Sequence, residues 1–281
     1  MTQSHEHLET LQDTAFVGTI KPQKHSAVGG VLNDAWVFIL RSLKLIFKSP
    51  DQLIGLIVQP IMFMLLFRYV FGGAINTGST SYVNFLVAGI LVQMAAFGAL
   101  TTSFSVAIDM QKGVIDRLKS FPIASWAVLV GHVVGDLVRN VLSSLILIGV
   151  AMVVGFRPNA GVKEWILITL IVLLFTFAVS WVSAILGLIA KTVEAVQWMG
   201  FFLVFPLTFA SAAFAPTETM AKGIRVFAQN QPVTHVIEAI RALMIGTPIG
   251  NHATLAVIWC VGIIVVAIPL AAYLFKKQIT K

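Results

Sequence analysis

The sequence predicts an all-α, polytopic membrane protein with six transmembrane helices, and three observations predict it. The first is composition: 58% of the 281 residues are hydrophobic and only 11% are charged, with a mean hydropathy of +0.91, whereas soluble chains average about 25% charged residues. The second is that six stretches reach the roughly 20 mostly apolar residues that a helix needs to cross the hydrocarbon layer. They are Leu53 to Phe71, Phe85 to Ile108, Trp126 to Gly155, Trp165 to Ala190, Val196 to Phe214 and Leu255 to Phe275. The third is the distribution of Lys and Arg on the two sides of that frame. One side collects twelve: Lys21, Lys24, Arg41, Lys44, Lys48, Lys112, Arg117, Lys119, Lys191, Lys276, Lys277 and Lys281. The other has five, Arg157, Lys163, Lys222, Arg225 and Arg241. Since basic residues concentrate in cytoplasmic loops, both termini are expected in the cytoplasm, as in a multi-pass protein of the cell (plasma) membrane.

Residues 1–30 are polar, with His5, Glu6, His7, Glu9, Asp13, Lys21 and Lys24, and lack a signal-peptide core. They predict a disordered cytoplasmic tail. Residues 31–48 differ: Asp34, Arg41, Lys44 and Lys48 recur at intervals of seven, three and four, one polar stripe on an otherwise apolar helix. Trp36, Ile39, Leu40, Leu43, Ile46 and Phe47 cover the rest, which suits a helix lying in the inner interface. Three bases at the centre of a span would each cost about 2.5–3.5 kcal/mol, which argues against a short seventh crossing. Ser49-Pro50 breaks this helix before the first span.

Between spans 2 and 3 lies an inner loop, residues 109–125. Its stretch GVIDRLKS, Gly113 to Ser120, misses the phosphate-cradling pattern G-x-x-x-x-G-K-[ST] by one residue. Leu118 stands where the second glycine would have to be, and no β-run precedes Gly113. A phosphate loop needs a strand, a glycine turn and then a helix, so no nucleotide is expected here. There is no HExxH and no G-x-S-x-G serine, and no cofactor or metal is expected on this chain. The lone Cys260 sits in an apolar run and forms no internal disulfide or CxxC pair. The net charge of +7 sits beside spans, where anionic lipid headgroups rather than nucleic acid are the expected partner.

Ionisable residues inside spans are costly and call for a named role. In span 3, His132, Asp136 and Arg139 are spaced by four and three, so one helical face can hold all three. An Asp136–Arg139 ion pair near the inner leaflet is the first reading, and a cargo or proton contact the second. Gly131 and Gly135 form a small-xxx-small step beside them. Arg68, near the end of span 1, either snorkels to the outer interface or faces a central cavity. The outer segment, residues 215–250, is too polar to cross and too apolar for a simple loop. Pro232 suits a first helical position, Thr234, Glu238 and Arg241 line one stripe, and Val233, Val236, Ile237, Ile240 and Leu243 lie opposite. Two short helices, about Thr217 to Phe227 and Pro232 to Ile245, are expected to dip into the outer leaflet and return. Such broken geometry survives only when packed against protein or lining a wet cavity.

The run from Gln111 to Phe156, with R-L at Arg117-Leu118, a later proline at Pro122 and G-x3-G-D at Gly131 to Asp136, resembles the ABC-2 type family of exporter permeases. So does the run from Phe205 to Gly246, with S-x-x-F-x-P, then N-x-P-V-T and E-A-I-R. Within the family the likeness is to daunorubicin/doxorubicin-resistance permeases and their nodulation-factor and polysaccharide relatives, and it covers about residues 31–280. Members often carry acidic residues just before the inner-loop glycine, where this chain has Asp109-Met110-Gln111-Lys112-Gly113. The resemblance implies one ABC-2 type transmembrane domain over residues 31–281, serving as the permease subunit of an ATP-binding cassette exporter. It implies a second permease, identical or a sister chain, and a separate cytoplasmic subunit that binds ATP and Mg. It also implies that Gly113, Val114, Ile115, Asp116, Arg117, Leu118, Lys119 and Phe121 transmit that subunit's motion. Drug, lipid and glycan all remain open as cargo, and a non-transporting membrane scaffold or sensor is the alternative function. The expected topology has a direct test. A cysteine placed at Lys112 is expected to react only with reagent on the cytoplasmic side and one at Lys222 only from outside, and labelling from the opposite sides overturns the frame.

Overall fold

The computed structural model describes residues 50–73, 75, 81–113 and 127–279. The tail, the 31–48 element with Arg41, Lys44 and Lys48, and Val114 to Phe121 of the inner loop lie outside the described residues. Every regular element among the described residues is helical. In chain order they are α1 (Pro50–Leu66), α2 (Tyr82–Gln111), α3 (Ala127–Val154), α4 (Val162–Ile189), α5 (Val193–Phe209), α6 (Lys222–Asn230), α7 (Pro232–Ile245) and α8 (His252–Ile279). α1 continues into a π-helical turn, Phe67–Phe71. Helices α2, α3, α4 and α8 are long and apolar enough to cross a membrane, while Ile57–Phe71 and Val193–Phe209 are shorter apolar helices.

α2 is the hub. The most apolar window of α2 is 78% buried, against 17% for that of α3 and 22% for that of α8, so α2 sits inside the bundle and the others turn a face outward. It packs most extensively on α4 and also meets α1, α3, α5 and α7. Small residues set these distances. A Cβ on Gly89 of α2 would fall 2.0 Å from the Ala213 carbonyl oxygen, and one on Gly187 of α4 would fall 2.5 Å from the Ser103 carbonyl oxygen. Close backbone approach of this kind is how helices associate where lipid removes the hydrophobic drive between them. Helix starts are fixed locally: Ser81 caps α2 by accepting from the Asn84 N–H, and Thr192 caps α5 by accepting from the Ala195 N–H.

The outer segment differs from expectation in two ways. Its first helix runs Lys222–Asn230 rather than from Thr217 to Phe227, because Thr217–Thr219 form a separate 3-10 turn after Pro216. The Arg225 guanidinium donates to the Glu218 carbonyl and, at 3.1 Å, to the Met220 carbonyl, so this turn is stitched to the helix that follows it. The second helix begins at Pro232 and ends at Gly246, whose φ of +82° is the left-handed cap that glycine adopts without strain. Here the expected polar stripe does not face water. Thr234 is 3% and Arg241 6% exposed, and both turn toward the end of α5.

That end is where helix geometry fails. α5 stops at Phe209 although the apolar run continues to Phe214, and the irregular backbone that follows needs partners. Gln231 donates to the carbonyls of Leu207 at 2.8 Å and Ala210 at 2.7 Å. Arg241 donates to the Ala212 carbonyl and, at 3.1 Å, to the Phe85 carbonyl of α2. The Thr234 hydroxyl accepts from the Ala212 N–H at 3.3 Å, and Tyr82 donates to the Phe214 carbonyl at 3.2 Å. The Arg241 charge is met by Glu238 at 2.6 Å and by the Phe85 ring, 3.6 Å from the guanidinium carbon. Nearby, His235 Nδ1 and His252 Nδ1 lie 3.2 Å apart, so one ring donates and the other accepts. Burial and then His252 hold the His235 imidazole below its ordinary range.

Removing the guanidinium strands several buried acceptors and leaves Glu238 without its counter-charge. Arg241→Met is expected to destabilise the protein by about 3–5 kcal/mol, the range for breaking a buried pair, read as the shift in unfolding of the purified protein in detergent. Arg241→Lys, which keeps the charge but not the fork of donors, should fall between it and wild type.

Candidate functional site

Two features could serve function, a polar tie inside the bundle and a cavity beside it. The tie is built on Asp136 of α3, 3% exposed. Its Oδ2 accepts from Thr102 of α2 at 2.5 Å and from Ser180 of α4 at 3.2 Å. Arg139, one turn along α3, lies 3.7 Å from Oδ1. One carboxylate therefore joins three helices, and two hydrogen bonds at Oδ2 with the Arg139 charge beside Oδ1 offset the cost of burying it. A second tie sits nearer the inner loop: His132 Nε2 lies 2.8 Å from Asp109 Oδ2, the two groups each 24% exposed. His132 thus turns to the end of α2 rather than joining Asp136, a pairing across helices that spacing along one helix does not show.

The cavity lies between α1, α2, α3 and α5. One chamber of about 480 Å³ has Arg139, Asn140 and Ser143 of α3 on one side, Gln59 of α1 and Gln197 of α5 on others, and Phe97, Phe104 and Phe201 among its apolar walls. A second of about 240 Å³ shares Gln59, Met94, Phe97 and Phe201 with it and adds Phe63, Gln93, Phe205 and Phe209. The two adjoin, in the size range of small-molecule sites, which run about 300–1,000 Å³. Among the described residues their polar groups are neutral amides and the hydroxyls of Thr101 and Ser143, apart from Arg139, whose charge Asp136 meets. Their apolar wall is a column of stacked rings along α5, with Phe201 to Phe205 4.8 Å and Phe205 to Phe209 4.2 Å between centroids. The column passes to Phe214 at 5.1 Å and to Phe67 of α1's π turn at 4.1 Å.

The sequence-derived candidates fall in different places. Asp136 and Arg139 come together, and Arg139 also lines the cavity. Pro232, Glu238 and Arg241 belong to the outer scaffold described above. Arg68 is half-buried in the π turn. Gly113 closes the end of α2 with φ of +62°, next to the capping Lys112, and Gly131 and Gly135 are buried. Thr102, Ser180, Gln93 and the phenylalanine column were missed. The column was legible, since Phe201, Phe205 and Phe209 recur every four residues. Gln93, an amide in the middle of an apolar span, was also a signal. Thr102 and Ser180 were not, because hydroxyls in such helices commonly bond their own backbone, as Thr176 and Thr208 do here.

Comparison with known proteins bears on the same chain. The family model described as ABC-2 type transporter matches residues 33–245. A daunorubicin resistance ABC transporter permease protein of Streptomyces coeruleorubidus is 30% identical over 260 residues, 92% of this chain and 90% of that protein. A probable doxorubicin resistance ABC transporter permease protein of Mycobacterium tuberculosis is 29% identical over 229 residues, 78% of this chain and 79% of the relative. An inner membrane transport permease of Escherichia coli K12 is 23% identical over 198 residues, 68% and 75% of the two chains.

The three-helix tie predicts a difference between two replacements. Asp136→Leu leaves Arg139 unpaired and two hydroxyls without their acceptor, and is expected to cost about 3–5 kcal/mol of stability. Asp136→Asn keeps an acceptor for Thr102 and Ser180 and should cost clearly less. Unfolding of the purified variants reads this, and equal losses would assign the tie to charge rather than to hydrogen-bond geometry.

Proposed function

This chain belongs to the ABC-2 type transporter family, and on that premise we propose that it is the membrane subunit of an ATP-binding cassette exporter moving hydrophobic or amphipathic cargo outward. The observation that carries the reading is the cavity between α1, α2, α3 and α5, with an aromatic wall, neutral amides and, among the described residues, no unpaired charge. Such a lining suits molecules that partition into a bilayer yet carry a few polar groups. In this reading α1 and α5 complete a six-span frame with both termini in the cytoplasm of the plasma membrane, α6 and α7 form an outer re-entrant pair, and a second permease, identical or sister, faces the first. The names of the resistance permeases among its relatives support drug-like cargo.

ATP is hydrolysed on a separate cytoplasmic subunit, with its own Mg, and the loop from Gly113 to Phe121 receives the motion. Support comes from where that loop attaches. It leaves the end of α2, the most buried of the four helices long enough to cross a membrane, and enters α3. Just inside, His132 meets Asp109, and further along, Asp136 holds Thr102 and Ser180. A displacement of the loop is therefore passed to α2, α3 and α4 as a braced unit rather than absorbed by one helix. α2, α3 and α5 line the cavity, so the same displacement alters its shape.

Leu118→Asp and Arg117→Glu each disturb a small docking surface of mixed apolar and charged residues, and each is expected to abolish cargo-dependent export while the two subunits still copurify. Vesicle export assays with the partner ATPase read the effect. Normal export by both variants contradicts the coupling role, and an ATPase whose rate is unchanged by assembly with this chain or by cargo contradicts the exporter reading itself.

A further inference from the structure

We propose that the chamber beside Gln93 is a recognition site for flat, uncharged aromatic molecules bearing a hydrogen-bond acceptor, such as aryl ketones, with the Gln93 amide as donor. The inference rests on the exporter reading only in taking the occupant to be cargo. Gln93 is 3% exposed, its Nε2 has no hydrogen-bond partner, and its side chain lines the chamber. It sits eleven residues into α2 and eighteen from the far end, about 17 Å and about 27 Å along the axis, so it lies within hydrocarbon depth from either side. No bulk water reaches a donor there, and an amide N–H left unmet in that setting is unfavourable. A ligand acceptor relieves it.

The walls specify the rest of the ligand. Successive rings of Phe201, Phe205 and Phe209 are tilted by only 26° and 24°, and Phe205 and Phe209 remain 38% and 36% exposed. Their faces lie against one another, so the column offers a run of ring edges against which the face of a further flat ring packs edge to face, with Phe63 and Phe97 also lining the space. Among the described residues no carboxylate lines it and the neighbouring Arg139 is already paired, so neither a cation nor an anion finds a free counter-charge there. A third cavity, about 300 Å³ between α3 and α4, is the instructive contrast. Its hydroxyls, Ser144 and Thr169, bond to carbonyls of their own helices at 2.7 Å and 2.9 Å, so their protons are already spent. Of these three cavities among the described residues, the Gln93 chamber is where stacked rings meet an unspent donor.

Fluorenone and fluorene share one flat ring skeleton and differ at a single carbon, a carbonyl in the first and a methylene in the second. Binding of each to the full chain in nanodiscs, corrected for uptake by empty nanodiscs, is expected to favour fluorenone by about tenfold, the scale of one hydrogen bond made by an otherwise unmet donor. Gln93→Met, which preserves the length of the side chain and removes the donor, should bring the two within about twofold while fluorene binding stays near wild type. Phe205→Ala should weaken both probes together. Equal affinities in wild type overturn the proposal without any variant being made, as does binding of neither probe above empty nanodiscs, the result if a lipid chain or a second copy of the protein fills the chamber. A preference that survives Gln93→Met overturns the role of the amide. The exporter reading is judged separately: ATP-driven export without probe preference leaves it standing and removes this site, and preference without export does the reverse.

Discussion

The structure depends on one constraint, that backbone polar groups cannot go unmet at membrane depth. α5 ends at Phe209 inside an apolar run, and the chain then turns without helical bonds of its own. The carbonyls and N–H exposed by that turn are met by side chains that arrive from α7 and α2: Gln231, Thr234, Arg241 and Tyr82. Arg241 matters most because its planar fork reaches Ala212, Phe85 and Glu238 together and has an aromatic face beneath it. The broken end of one helix is thereby turned into the joint that holds α2, α5 and α7. Gly89 completes the joint by letting the Ala213 backbone lie against α2.

From that joint the rest of the bundle follows. α2 is committed to the interior in its N-terminal half by Arg241 and Tyr82, and in its C-terminal half by Thr102 and Asp109, which meet Asp136 and His132 of α3. Polar side chains are spent where they lock helices to one another, and each lock is a directional bond in surroundings where apolar contact alone distinguishes poorly between partners. α1 and α5 are held less: they present exposed Ile54, Met62, Trp198 and Phe202, and between them and α2 the cavity remains.

Much of this was legible in the sequence, and for identifiable reasons. Apolar runs of crossing length reveal membrane helices because lipid imposes length and composition directly, and the helices at α2, α3, α4 and α8 fall on such runs. Pro232 at the start of α7 and Gly246 after it mark its ends by backbone chemistry alone. The polar stripe of α7 was visible, but its surroundings were not: in the fold Thr234 accepts from the Ala212 N–H and Arg241 donates to the Ala212 carbonyl, partners 22 and 29 residues earlier in the chain. The same holds for span 3, where helical spacing brings Asp136 and Arg139 together yet cannot say that His132 belongs to Asp109.

The sequence by itself determined the solvent of this protein, the course of its four long apolar helices and its family, because each is written in local composition or in ordered motifs. The tertiary structure alone decided which polar residues meet, that Asp136 joins three helices, and that Gln93 stands beside a column of rings with its donor unused. The physical reason is range. Hydropathy and helix-end signals act within a turn or two of chain, whereas hydrogen-bond satisfaction is settled between residues as far apart as Phe85 and Arg241, and only packing brings those together.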